Sequence, residues 1–142
     1  DEGATCPRWE QFLCEVFDDV ELVNFIGYLA GYWLTGDISE HVFPIFYGHG
    51  RNGKNVLIDT FLGLMGDYAC KAPASLLTVR KVEEHPTELA GLQGKRLVVG
   101  SETEQGAQLR VQLVKEMTGG DINEEKIVVA SLHVEHTQEG GG

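Results

Sequence analysis

The run Gly48-His49-Gly50-Arg51-Asn52-Gly53-Lys54 restricts the fold more than any other part of the chain. It joins two segments of different periodicity. Residues 42–47 are a short apolar run that reads as a strand. Val56, Leu57, Phe61, Leu64 and Met65 follow at helical spacing and stop near Gly66. A glycine-rich turn between a strand and a helix lets the backbone wrap closely and point its N–H groups inward. The helix beginning near Lys54 adds the positive end of its dipole, and Lys54 adds a full charge suited to β- and γ-phosphates. Gly48, His49, Gly50, Arg51, Asn52, Gly53, Lys54 and Asn55 are therefore the candidate phosphate-binding set. Asn55 stands where Ser or Thr normally gives a hydroxyl to Mg²⁺, and its side-chain oxygen can also ligate a hard cation. The plainer alternative is a glycine-rich turn that holds nothing.

A phosphate loop that hydrolyses its ligand needs a carboxylate at the end of a neighbouring strand, to hold Mg²⁺ or polarise water. Leu97-Val98-Val99 reads as that strand, with Ser101-Glu102 at its carboxyl end and Glu104 two residues on. Lys54, Glu102 and Glu104 are the candidate catalytic residues, and Asn55 with Glu102 the candidate Mg²⁺ ligands. Taken without the loop, Glu102 and Glu104 would read as solvated carboxylates after a strand.

Before the loop the chain is helical. Pro7 suits a first helical turn, and Trp9, Phe12, Leu13, Val16 and Phe17 follow at spacings of three and four. Asp18 and Glu21 resemble a capping box for a second helix. Its apolar face is Leu22, Phe25, Ile26, Leu29 and Trp33, with Gly36 as its stop. Trp9 and Trp33 read as core residues. Residues 1–41 are thus expected to form a small helical leader and residues 42–142 an α/β core. Pro44 cannot donate to a central ladder, which leaves the start of the first strand open. Residues 67–87 should hold one short strand and loops, and residues 87–92 a helical turn. Leu109, Leu113, Val114 and Met117 predict a further helix, and residues 127–130 a last strand.

Composition excludes several classes. A formal net charge of -11 over 142 residues does not suit an autonomous DNA-binding module, whose affinity comes from Lys and Arg. Cys6, Cys14 and Cys70 are odd in number and lack metal-knuckle spacing, so they read as reduced thiols of a cytoplasmic protein. No apolar run reaches membrane-spanning length, and the acidic start resembles no signal peptide. His41, His49, His85, His133 and His136 form no zinc spacing.

Taken in order, several stretches resemble the helicase part of the phage and plasmid primase family, a superfamily-3 group related to poxvirus-type primase-helicases. They are Cys6-Pro7-Arg8-Trp9, Gly31-Tyr32-Trp33-Leu34-Thr35-Gly36-Asp37, and Phe46-Tyr47 with the loop through Lys54. Leu89-Ala90-Gly91-Leu92-Gln93-Gly94-Lys95-Arg96-Leu97-Val98-Val99, Ser101-Glu102 and Lys115-Glu116-Met117-Thr118-Gly119-Gly120-Asp121 continue the match. The resemblance implies a P-loop NTPase sheet of the AAA+-like kind with flanking helices, behind a helical leader. It also implies ATP and Mg²⁺ as cofactors, a homo-hexameric ring in the parent protein, and movement along single-stranded DNA. By the same resemblance Lys115 contacts nucleotide or DNA.

The chain departs from that family after Asp121. A basic hairpin, a strand ending in a sensor Asn and an arginine finger are expected there, and none is recognisable before the closing Gly140-Gly141-Gly142. A truncated reading frame, a fragment or a degenerate copy would each look like this. Two other readings stand beside the motor fragment. One is a non-catalytic P-loop module serving assembly or regulation, and the other an unrelated P-loop kinase or GTPase. The expectation for the isolated chain is nucleotide binding with slow or no hydrolysis.

Overall fold

In a computed structural model, the described residues are 3–48, 52–79, 90–101, 110–118 and 129–135. Two helices come first. α1 (Pro7–Val16) starts with Pro7 in its first turn, and the amides of Trp9 and Glu10 bond back to the Cys6 carbonyl. α2 (Val20–Thr35) is capped by Asp19, one residue later than the sequence reading placed the cap. Asp19 is extended and its carboxylate accepts the Glu21 N–H at 2.8 Å, the ordinary reach of an N-cap side chain. Gly36 closes α2 in the left-handed region at φ 68°.

The first strand is shorter than the apolar run suggested. β1 is Phe46–Gly48, and residues 42–45 are irregular. Pro44 has no N–H to give a ladder, and the strand begins only after it. α3 (Lys54–Met65) follows, and one 3₁₀ turn (Gly66–Tyr68) leads into β2 (Ala69–Pro73). A four-residue helix, α4 (Ala74–Leu77), comes next, where only loops were expected. β3 (Leu97–Ser101), α5 (Val111–Thr118) and β4 (Val129–Glu135) complete the described elements. Residues 87–89 and Leu109 lie outside the described residues, as do Ile127 and Val128. β4 runs on to Glu135 because Leu132 and Val134 continue an alternating pattern past Ala130.

The four strands form one parallel sheet in the order β1-β4-β3-β2. The protein is therefore α/β, with a parallel sheet whose strand β3 is buried on both faces. Successive residues of β3 show this directly. Leu97 and Val99 pack with Leu57, Phe61 and Met65 of α3 and with Ile26, Leu29 and Trp33 of α2. Val98, between them, packs with Leu77, Leu113 and Met117 on the other side. Leu57, Leu97, Val98 and Trp33 are fully buried. β4 carries one extra residue opposite Val98 to Gly100, a bulge in the middle of the sheet.

The leader helices share the core of the sheet. Trp33 meets Phe61 edge-on at 5.3 Å, and Trp9, half-buried, meets the same ring at 5.8 Å. At the carboxyl end of α2, Arg96 donates to the Leu34 carbonyl at 2.6 Å and lies over the Tyr68 ring at 4.3 Å. A cation at a helix carboxyl terminus complements its dipole. No helix among the described residues is long and apolar enough to cross a membrane.

Candidate functional site

The loop after β1 is aimed by the sheet. β1 pairs with β4, and β4 pairs with β3. Phe46 of β1 and Ser101 of β3 both stand opposite His133 of β4. Two strand spacings put their backbones about 10 Å apart. The chain leaving β1 enters α3 on one face of the sheet. The chain leaving β3 next reaches α5 on the opposite face. Open α/β sheets bind ligands where connections from the carboxyl ends of strands diverge in this way.

Within the candidate loop, Gly48 ends β1, and His49, Gly50 and Arg51 lie outside the described residues. Asn52, Gly53 and Lys54 are brought together at the start of α3. Gly53 is the N-cap, left-handed at φ 85°, and supplies no side-chain cap. Its carbonyl accepts the Leu57 N–H at 3.0 Å, the first bond of the helix. Space also demands glycine here. A β-carbon on Gly53 would lie 2.5 Å from Val16 Cγ2 and 3.3 Å from Phe12 Cε2.

Lys54 is only 6% exposed. Its ammonium donates to Asn52 Oδ1 at 2.7 Å, and its backbone N–H reaches the same oxygen at 3.4 Å. A lysine with so little exposure is held in place by polar partners. Asn55, one residue on, is exposed on the first turn of α3. The arrangement can therefore seat an anion between a buried ammonium and a helix N-terminus.

Beside it lies a cleft of about 640 Å³ that sequence reasoning missed. Phe17 just after α1, Leu22 and Phe25 from α2, Ile45 just before β1 and Tyr47 within it line it, together with Asn52 and Lys54. Leu22 and Phe25 were expected to face the core of the leader. They are 40% and 53% exposed, because the core of α2 is formed by Ile26, Leu29 and Trp33. The only signal in the sequence was the width of the apolar stripe on α2, broader than one buried face requires.

Of the other candidates, only Lys115 is among the described residues, and it is not gathered here. Glu102 and Glu104 lie outside the described residues, directly after β3. Lys115 is exposed in the last turn of α5, a helix on the opposite face of the sheet from α3. The cysteines are free: Cys6 and Cys14 are exposed, whereas Cys70 on β2 is half-buried. Burial pushes the Cys70 thiol pKa up, and the Lys95 charge opposes it.

No protein-family profile matches the chain. Over 123 residues, 85% of the chain, it is 29% identical to a protein of Acanthamoeba polyphaga mimivirus named "Putative helicase L207/L206". The chain spans 13% of that protein's length. This is a distant similarity, and it relates the chain to a helicase sequence.

Proposed function

We propose that this chain is the nucleotide-binding part of a helicase motor, a P-loop ATPase in which Lys54 and the N-terminus of α3 hold the β- and γ-phosphates of ATP. The observation that carries the reading is the near-complete burial of Lys54 at the start of α3, the helix that follows β1 of the parallel sheet. Gly53 supports it, because its left-handed turn lets the backbone approach a phosphate closely. The apolar cleft beside Lys54 would take the nucleoside end of the ligand. Asn55 and Glu102 would hold Mg²⁺, whose charge neutralises the transferring phosphoryl group when bound. Lys54 orients the phosphates, Gly48 to Gly53 wrap them, and Glu102 or Glu104 would orient the attacking water.

The distant helicase similarity and the motifs from Cys6 to Asp121 support a parent that belongs to the phage and plasmid primase group of superfamily 3. Such a parent would act as a ring on single-stranded DNA during phage or plasmid replication. The net charge of -11 fits a part that reaches DNA through other residues of a larger assembly.

The test is ATP binding and hydrolysis by the purified chain with Mg²⁺, with and without single-stranded DNA, beside Lys54→Ala. The expected result is binding that Lys54→Ala abolishes, with slow or no turnover. Absence of ATP binding would overturn the reading in favour of a non-catalytic module. Strong DNA-stimulated turnover would establish a complete motor in these 142 residues.

A further inference from the structure

α1 touches the candidate phosphate loop at its most constrained residue. Val16 Cγ2 and the Phe12 ring occupy the space where a side chain on Gly53 would stand. Val16 also lines the cleft shared by Asn52 and Lys54. The helix that brings these groups is anchored independently of the loop. Phe12 stacks on Trp9 at 5.3 Å, Trp9 meets Phe61 of α3, and Phe61 meets Trp33 of α2. Leu13, between the two loop-facing residues, is buried in the main core.

We infer that α1 is a working part of the phosphate loop, with Val16 and Phe12 acting as positioning residues that hold Gly53 in its left-handed turn. The inference rests on the phosphate-loop reading above for its consequence, not for its geometry. A glycine at φ 85° has many other conformations open to it once its neighbours withdraw. The branched Val16 side chain, fixed on a helix, has few rotamers and gives a firm wall. Loosening that wall lets the turn wander and misaligns the start of α3, including the Lys54 amide. Nucleotide binding and the docking of α1 are then linked, each favouring the other.

Two readouts test this on the full chain. The first is hydrogen exchange, without nucleotide, of the Lys54 and Leu57 amides, which bond to Asn52 Oδ1 and to the Gly53 carbonyl. The second is ATP affinity by calorimetry. Val16→Ala should speed exchange at both amides about tenfold and weaken ATP about fivefold or more. Val16→Thr, which keeps the branched shape, should restore both. Leu13→Ala should lower the melting temperature while leaving the loop amides and ATP affinity at their parent values. Equal effects of Val16→Ala and Leu13→Ala on the loop would overturn the inference, since general destabilisation would then explain them. Unchanged exchange in Val16→Ala would overturn it as well. If the parent chain binds no ATP, the nucleotide reading fails, and the exchange measurement still decides the role of α1.

Discussion

Lys54 donates to the side-chain oxygen of Asn52 at 2.7 Å from a position almost closed to water. The two residues are separated only by Gly53, so the turn that bends the backbone also brings the acceptor under the ammonium. Asn52 thus offers Lys54 an oxygen acceptor of the kind a phosphate would supply.

Asn52→Ala should therefore act mainly on the nucleotide-free chain. Losing a charge-assisted acceptor beside a buried ammonium should cost about 1–2 kcal/mol of stability. A saturating concentration of ATP and Mg²⁺ should restore most of that difference, because phosphate oxygens replace the lost partner. Thermal melts with and without nucleotide check this. An equal deficit in both conditions would show that Asn52 serves the fold alone.

Arg96 should matter more to stability than its surface position suggests. It caps the carboxyl end of α2 through Leu34 and covers the Tyr68 ring. Arg96→Ala should lower stability by about 2 kcal/mol, from a charged hydrogen bond and a cation–π contact. Arg96→Lys should recover less than half, since an ammonium cannot stack as a planar guanidinium does. Urea unfolding of the three proteins measures both numbers, and a loss under about 0.5 kcal/mol for the alanine variant would contradict the role.

Trp33 is fully buried, and its indole N–H has no hydrogen-bond partner among the described residues. Removing that N–H offsets part of the volume lost in Trp33→Phe, so this change should cost about 1 kcal/mol or less. Trp33→Ala should cost about 3–5 kcal/mol, because it empties the contact with Phe61. The ratio of the two, read from denaturant midpoints, separates packing from the cost of burying the indole N–H at this position.

Cys70 gives the fold an alkaline sensitivity. Burial raises its thiol pKa above the ordinary value, with Lys95 opposing, so the folded chain holds the thiol proton more tightly than the unfolded chain. The contribution is whole below the ordinary thiol pKa and is lost as pH rises through the folded one. Stability should fall across that window, and Cys70→Ala should flatten the fall. Alkylation of the native chain should modify Cys6 and Cys14 before Cys70.

Legibility in the sequence followed the range of the forces involved. Pro7, Gly36 and Gly66 mark helix ends through local backbone chemistry, and all three stand where a pattern reading puts them. The strand at Leu97 to Ser101 was readable from a compact apolar run. Pro44 obscured the start of β1, and the modest apolarity of Ser131 and His133 hid the length of β4. The exposure of Leu22 and Phe25 was not readable, because a helix does not declare which apolar positions its neighbours will cover. The contact of Val16 with Gly53 joins residues far apart in the chain, and no local pattern encodes it.

The strand order has a kinetic side. β1 has β4 as its neighbour in the sheet, although residues 49–128 separate them in sequence. During synthesis β1 emerges before β4, and its backbone hydrogen bonds to β4 stay unmade until β4 stands between it and β3. Closing so long a loop is slow, and an unpaired strand edge invites other chains. The pairing of β1, the strand from which the loop departs, is therefore completed only once β4 has taken its place between β1 and β3.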